Sequence, residues 1–462
     1  MRIGSDQSHL GIDRLGLWVV LVASVIAAVS ARPYAGSWND GSRLAAVESL
    51  VDYHTWAIDQ SIFVRGTAVS HAASPYPASE PTLRTFGTQD KMWINGHFYS
   101  DKAPVPTLFL AMVYRAIQLV TGMTARDRPD RFCYWITLLS SGLAYVVSVY
   151  AIDRLAAVHG LVRSNRIWLT ASFALGTLAL PYARQVNNHI LLLAVCAALF
   201  LIISRKQNFA GLVMIGSLAG LGYTLDSAIG TMLVLAIVPL SIARSRAAAA
   251  ALVILSAAFP FFALHHYLNY IIGGTFLPAN THPEFFQWPG CSLTADSLTG
   301  KWQHHNLYEF ISYAFDLLVG ARGFFWHDLP LLLALAGTVW LLRRSIQERQ
   351  EVWFAIGFSV SSWLIYAVLS NNLAGVCCSI RWFVPLLAPG YYILTLLLRY
   401  DPTAAGDLRI LSIGGFILGA QMWREGPWMR RMVPEYWLIV GLTCLVWLFY
   451  RVQRSRGALR KS

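Results

Sequence analysis

A charged pair, Asp101 and Lys102, stands at the edge of an apolar segment, just before Pro104. An ammonium group fixed at a membrane surface suits a lipid phosphate, because the two opposite charges meet at the headgroup plane. Lysine is also a common interfacial anchor, since its long stem carries the charge out of the apolar region. The pair therefore predicts either a phosphate-binding site or an ordinary membrane anchor.

A carboxylate suited to general-base chemistry appears earlier, at Asp40. It precedes a stretch in which Leu44, Val47 and Val51 fall on one helical face. A positioned carboxylate can take a proton from a hydroxyl or an amine during group transfer. An aspartate just before a helix more often caps the first turn, which stabilises the helix by about 1 kcal/mol. The spacing alone does not separate these two interpretations.

Further polar residues border apolar stretches later in the chain. Asn188 and His189 open one such stretch, and they predict either part of a polar site or the cap of the following helix. Arg381 lies beside another stretch, where its guanidinium can pair with an anionic headgroup. The alternative for Arg381 is a basic residue that only sets the orientation of the helix in the membrane.

The elements that position these residues are predicted to be membrane helices. Of the 462 residues, 56% are apolar and 13% are charged, whereas soluble domains carry about 25% charged residues. The pattern predicts an all-α polytopic membrane protein, one integral domain over 1–462 with about 12 transmembrane helices. No basic face of the kind that binds nucleic acid is visible. The predicted spans are roughly 15–31, 132–152, 167–183, 189–203, 209–225, 227–243, 248–268, 329–342, 352–370, 382–398, 409–423 and 436–450.

The distribution of basic residues decides how segment 103–123 is interpreted. If this segment does not span, the short loops rich in Arg and Lys share one face with both termini, as the positive-inside rule requires. Segment 103–123 is then predicted to be an interfacial helix on the outer surface. The alternative is a short, tilted span with a buried Arg115. Two long outer loops, 32–131 and 269–328, follow from the interfacial interpretation.

A β-hairpin is predicted at the end of the first long loop. The stretch KMWI-NG-HFYS consists of two short alternating runs around Asn95 and Gly96, which is a strong hairpin signal. The second run ends at Ser100. The hairpin would therefore hold Asp101 and Lys102 rigidly at the membrane surface.

Together these residues resemble the GT-C glycosyltransferases, in particular the branch of protein O-mannosyltransferases and the lipid A aminoarabinose transferase. In that branch the first outer loop opens with an aspartate before a helix and ends with an acidic-Lys-Pro-Pro element, and polar residues follow the third span. The matching residues here are Asp40, Arg43, Leu44, Ala45, Glu48 and Trp56, then Tyr99, Asp101, Lys102, Ala103 and Pro104, then Asn187, Asn188 and His189. The chain departs from the pattern at Gly41 and Ala103, and the likeness is concentrated before residue 205.

The resemblance implies an enzyme that transfers a sugar from a polyprenyl-phosphate donor. It implies that Asp40 is the catalytic base and that Lys102 and Arg381 bind the donor phosphate. Further site candidates are Asp101, Glu48, Arg43, Asn188 and His189. No metal site is predicted, no cofactor is certain, and a need for a divalent metal is left open. The implied partners are the donor lipid, membrane lipids and an unnamed acceptor, at a site on the periplasmic side of the inner membrane.

Two other functions fit parts of the sequence. A transporter or flippase would also have many spans with internal termini, and its ionisable residues would lie within the membrane. His265 and His266 are the main candidates for such residues, and they are predicted to lie near a helix end. A lipid-linked glycan ligase or polymerase would differ from the transferase mainly in its acceptor. The sequence does not identify the sugar or the acceptor.

Overall fold

The chain folds into a mostly helical bundle, in agreement with the predicted all-α polytopic membrane protein. The computed structural model describes residues 14–64, 73–245, 248–293 and 298–459, so the two chain ends lie outside the described residues. The α-helices in these ranges are α1 (Arg14–Ser30), α2 (Trp38–Asp52), α3 (Pro81–Phe86), α4 (Pro104–Thr121), α5 (Pro129–Thr137), α6 (Leu143–Val158), α7 (Arg163–Leu175), α8 (Ala179–Tyr182), α9 (Asn188–Ile203), α10 (Phe209–Leu225), α11 (Ser227–Ser245), α12 (Ala248–Gly273), α13 (Leu307–Val319), α14 (Phe324–His327), α15 (Pro330–Leu342), α16 (Arg349–Leu369), α17 (Leu387–Tyr400), α18 (Ala405–Glu425) and α19 (Tyr436–Leu459).

The predicted spans can be compared with the helices that are long and apolar enough to cross a membrane. In the described part of the chain, 8 helices are long and apolar enough to cross a membrane, or up to 9 if the bent pair 307–327 and 330–342 is one span. Seven of the predicted spans fall on these helices. The other five fall on shorter or broken apolar helices: α1, α7 with α8, α9, α10 and α15. The count of about 12 therefore stays a prediction.

Helix α4 corresponds to the segment that was predicted to be interfacial. It is 18 residues long and apolar enough to span by length and composition, so its interfacial position stays a prediction. It packs against α2, where the hydroxyl of Tyr114 donates to Asp52 Oδ2 at 2.9 Å. The side-chain amide of Gln118 donates to Asp52 Oδ1 at 2.8 Å. These hydrogen bonds hold α4 against the first long loop.

The predicted hairpin is confirmed, with β1 (Lys91–Ile94) paired antiparallel to β2 (His97–Ser100). Asn95 and Gly96 both have positive φ, at 49° and 88°, as a two-residue type I′ turn requires. Trp288 from the second long loop donates its indole N–H to the carbonyl of Lys91 at 3.3 Å. The hairpin therefore connects the two long loops to each other.

The position of α4 is testable by cysteine labelling at three exposed sites, after accessible native cysteines have been blocked. If α4 is interfacial, Ala78→Cys and Arg126→Cys react with an impermeant maleimide from one side of the membrane. Arg163→Cys, which follows the long helix 129–158, then reacts from the opposite side only. If α4 spans, the first two cysteines are reached from opposite sides, and the interfacial model is wrong.

Candidate functional site

A cavity of about 1630 Å³ lies between the helical bundle and the two long loops. This exceeds the roughly 300–1,000 Å³ of a typical small-molecule pocket, so it has room for more than one small ligand. Six of the eight predicted site residues line it: Arg43, Asp101, Lys102, Asn188, His189 and Arg381. Segments that are far apart in the sequence thus meet around one space. Asp40 and Glu48 do not line the cavity.

Lys102 is held at the cavity by two carboxylates. Its Nζ lies 2.6 Å from Asp90 Oδ2 and 2.8 Å from Asp101 Oδ2. The side chain is 10% exposed, so these charge pairs are only weakly screened by solvent. An ammonium group has three N–H donors. Two of them are used here, and the third has no partner among the described residues.

The second carboxylate oxygen of Asp101 is hydrogen-bonded to Ser42 in α2. Ser42 Oγ donates to Asp101 Oδ1 at 3.1 Å, and the hydroxyls of Ser42 and Ser100 lie 2.7 Å apart. Burial raises the pKa of the Asp101 carboxyl, while the nearby Lys102 ammonium acts in the opposite direction. The hairpin end and α2 therefore position the charged pair together, as the hairpin prediction required.

Arg43 and Asn188 form a contact between the first loop and the bundle. Arg43 Nη2 donates to Asn188 Oδ1 at 2.8 Å, and Asn188 Nδ2 donates to the carbonyl of Leu225 at 2.8 Å. Burial lowers the pKa of Arg43 to about 10, which still leaves it charged at neutral pH. Asn187, rather than Asn188 or His189, caps α9, because its Oδ1 accepts from the amide of Ile190 at 3.0 Å. Asn188 and His189 therefore take no part in the cap, and both line the cavity.

Arg381 forms no ion pair with an acidic side chain among the described residues, and the same is true of Arg43, Arg430 and Arg431, which also line the cavity. The guanidinium of Arg381 lies over the ring of Trp428, 5.6 Å from the centroid, and its buried Nε has no hydrogen-bond partner among the described residues. Five basic and five acidic side chains line the cavity in all: Arg43, Lys102, Arg381, Arg430 and Arg431, with Glu80, Asp90, Asp101, Asp226 and Glu425. The lining is therefore balanced in formal charge. An incoming anion therefore meets arginines without an ion-pair partner, and Arg381 is the one that the sequence predicts to bind the donor phosphate.

Asp40 lies directly behind the cavity wall and not in it. Ser37 is the N-cap of α2 and lines the cavity, and its hydroxyl donates a short hydrogen bond to Asp40 Oδ1. The amide of Gly36 donates to Asp40 Oδ2 at 2.7 Å. Burial raises the pKa of Asp40 to about 6. The predicted cap at this helix is thus made by Ser37, with Asp40 closing it from the first turn.

Two sequence features near Asp40 are explained by packing. A Cβ at Gly41 would come within 2.5 Å of the Tyr76 hydroxyl, so a larger residue at position 41 would require the buried Tyr76 to move. Glu48 is buried in the first loop, where Ser61 Oγ and the amide of Ile62 donate to Oε2 at 2.5 Å and 3.1 Å. Burial raises the pKa of Glu48 to about 8. These contacts tie the chain after α2 back onto the helix.

Asp90 and Asp226 also line the cavity, and the sequence interpretation missed both of them. Asp226 caps α11, since its Oδ1 accepts from the amides of Ala228 and Ile229 at 3.1 Å. Its other oxygen accepts from the Tyr366 hydroxyl at 2.8 Å. Local sequence carries no signal for a partner so distant in the chain. Within the described residues, no group of three or more His, Cys, Asp or Glu side chains is arranged to hold a metal ion.

Comparisons with known proteins find similarity only at the level of structure. Neither a family model nor a curated protein matches the sequence. The chain is similar to the crystal structure of ArnT from Cupriavidus metallidurans bound to undecaprenyl phosphate, with 12% identity and a TM-score of 0.48 over 94% of this chain and 75% of that one. It is also similar to the oligosaccharyltransferase of Archaeoglobus fulgidus in complex with zinc and sulfate, with 11% identity and a TM-score of 0.45 over 89% of this chain and 54% of that one.

Proposed function

We propose that this chain transfers a sugar from a polyprenyl-phosphate carrier to an acceptor within the cavity. The observation that carries the proposal is that Lys102, Arg381 and Ser37 line one cavity, with Asp40 hydrogen-bonded to Ser37 directly behind the wall. Lys102 and Arg381 supply positive charge, and Asp40 supplies a proton acceptor. We further propose that the cavity faces the outer side of the membrane.

The leaving group of such a reaction is a lipid phosphate. Breaking the bond between the anomeric carbon and the phosphate oxygen leaves the electron pair on that oxygen, so negative charge develops there. Fixed donors aimed at developing charge lower the barrier to reaction. The unused N–H of Lys102 and the unpaired guanidinium of Arg381 suit this task. Asp90 and Asp101 then act as positioning residues that hold the ammonium in place.

The acceptor hydroxyl or amine must lose its proton as it attacks the anomeric carbon. Asp40 is the proposed base, and Ser37 connects it with the cavity, because the serine hydroxyl can take a proton from the acceptor while it passes its own to Asp40 Oδ1. A carboxylate whose pKa is about 6 is well matched to this role near neutral pH. Arg43, Asn188 and His189 are proposed to shape the wall beside this route.

A lipid-linked donor is distinguishable from a nucleotide sugar. No glycine-rich loop of the phosphate-cradling kind is present in the sequence. We expect the purified protein in lipid nanodiscs to transfer label from undecaprenyl-phosphate sugars to acceptors in a cell-envelope extract, with release of undecaprenyl phosphate. UDP- and GDP-sugars, supplied in an assay without carrier lipid, should give no transfer. Turnover with the nucleotide sugars alone would show that the proposed donor class is wrong.

A further inference from the structure

One buried side chain of the cavity has no hydrogen-bond partner for either of its polar atoms. His265 lies in α12, is 3% exposed and lines the cavity. Neither Nδ1 nor Nε2 has a partner among the described residues. Buried polar atoms are normally hydrogen-bonded, and a buried polar atom without a hydrogen bond lowers the stability of the fold. A ring left unpaired at the edge of a large cavity is therefore a candidate ligand contact.

Three polar neighbours of His265, namely Tyr223, His266 and Asn269, have hydrogen-bond partners, in contrast to its own ring. The Tyr223 hydroxyl lies 3.0 Å from His266 Nε2, and His266 Nδ1 lies 2.5 Å from the carbonyl of Phe276. Asn269 donates to the carbonyl of His265 at 2.8 Å and accepts from the amide of Ala279 at 2.9 Å. These contacts fix the backbone and the neighbours of His265. Both ring nitrogens of His265 are themselves buried, so the ring must turn for them to reach a molecule bound in the cavity.

The chemistry of the ring indicates which group it takes. No acidic side chain forms an ion pair with His265 in the described part of the chain, so the ring has no counter-ion for a positive charge. A neutral imidazole has one donor and one acceptor. A hydroxyl group has the same combination, whereas a phosphate offers only acceptors. The ring of Tyr223, 5.4 Å from that of His265, adds an apolar face beside these polar atoms.

We propose that His265 binds hydroxyl groups of a sugar in the cavity, and that it thereby sets which sugar is accepted. The proposal rests on the transferase function proposed above, and it adds the recognition of the sugar to that of the phosphate. The sugar belongs either to the donor lipid or to the acceptor. Both sources present the same chemistry to the ring, so the experiment has one arm for each.

The first arm measures dissociation constants in nanodiscs for undecaprenyl phosphate and for the same lipid carrying mannose, glucose, galactose or 4-aminoarabinose. If His265 binds the donor sugar, at least one sugar-bearing lipid binds more tightly than the sugar-free lipid. His265→Phe should reduce this preference about tenfold, the effect of about 1.4 kcal/mol, without changing the affinity for undecaprenyl phosphate. His265→Gln, which keeps a donor and an acceptor, should retain part of the preference.

The second arm uses methyl glycosides of the same four sugars and no lipid, so it tests the acceptor as the source. If His265 binds an acceptor sugar, His265→Phe weakens the best of these glycosides about tenfold and leaves the lipid preference unchanged. His304→Phe is the matched control, because His304 is buried outside the cavity and bonds the carbonyl of Ala367. That variant should leave both measurements unchanged.

Thermal unfolding of the same variants separates ligand binding from a structural role. Because His265→Phe removes two unpaired polar atoms and keeps an aromatic ring, it should unfold at an equal or higher temperature than the wild type. If His265→Phe matches the wild type in both binding arms, the ring holds only water and the inference is overturned. Failure of undecaprenyl phosphate itself to bind would instead count against the proposed function, while the glycoside arm still tests His265.

Discussion

Replacing Lys102 with Ala is expected to weaken binding of the donor lipid and to slow transfer more than any other change on the phosphate side. A hydrogen bond to a charged group contributes about 1.5–3 kcal/mol, so the dissociation constant for undecaprenyl phosphate should rise at least tenfold. Transfer should fall about 10²-fold, as it does when one donor to developing negative charge is removed. Lipid-binding and transfer assays on the same nanodisc preparation measure both quantities.

The Ala variant also leaves Asp90 and Asp101 beside each other without their shared counter-ion. Loss of function could then come from local repulsion, and a second variant separates the two causes. Lys102→Met combined with Asp90→Asn removes the ammonium and one carboxylate, so folding stability should recover towards the wild-type value. Transfer should stay low if Lys102 binds phosphate. Recovery of both folding stability and transfer in the double variant would mean that Lys102 is only a counter-ion. Lys102→Arg should rescue poorly, because a planar fork replaces a point charge.

Replacing Asp40 with Asn is expected to lower transfer about 10²-fold or more while donor lipid still binds, because the proton acceptor is lost and the shape is kept. Wild-type transfer should fall as the pH drops through about 6, since protonated Asp40 accepts no proton. The residual transfer of Asp40→Asn should not show this step. A pH–rate profile of both proteins, with lipid binding measured in parallel, checks the prediction.

Stability measurements distinguish a base from a helix cap at Asp40. The pKa of Asp40 in the folded chain, about 6, lies above its ordinary value of 3.8. The buried charge therefore destabilises the fold above pH 6, and this cost declines as the pH falls towards 4. Asp40→Asn should not lower stability at pH 8. Ser37→Asn keeps a good cap but removes the proposed proton route, so it should also lose transfer. Near-normal transfer by both variants would leave only the capping role.

Local sequence patterns predicted the parts of this molecule that depend on local physics. The Asn95–Gly96 pair specified the hairpin because few residues accept positive φ, and the hairpin end then delivered Asp101 and Lys102 to the cavity. Apolar runs predicted where helices lie, but not how many of them span, since α7 and α9 are too short to decide by length.

The unpredicted parts of the candidate site depend on long-range packing. The Arg43–Asn188 contact joins residues 145 positions apart, and Asp90 has no local feature that marks it as a partner of Lys102. The position of Asp40 behind the cavity wall also depends on long-range packing. Its place behind Ser37 follows from how the first loop folds over α2, and that packing is not encoded in the spacing of a few residues.

The assembly of the cavity from distant segments also has a thermodynamic consequence. A molecule that touches Arg43, Lys102 and Arg381 at once acts as a non-covalent cross-link between the first long loop and the bundle. By mass action, any ligand that binds only the folded chain raises its stability, by about 2.7 kcal/mol when the free ligand is at 100 times its Kd. Detergent extraction that strips such a lipid therefore removes part of the free energy that keeps the first long loop packed on the helices.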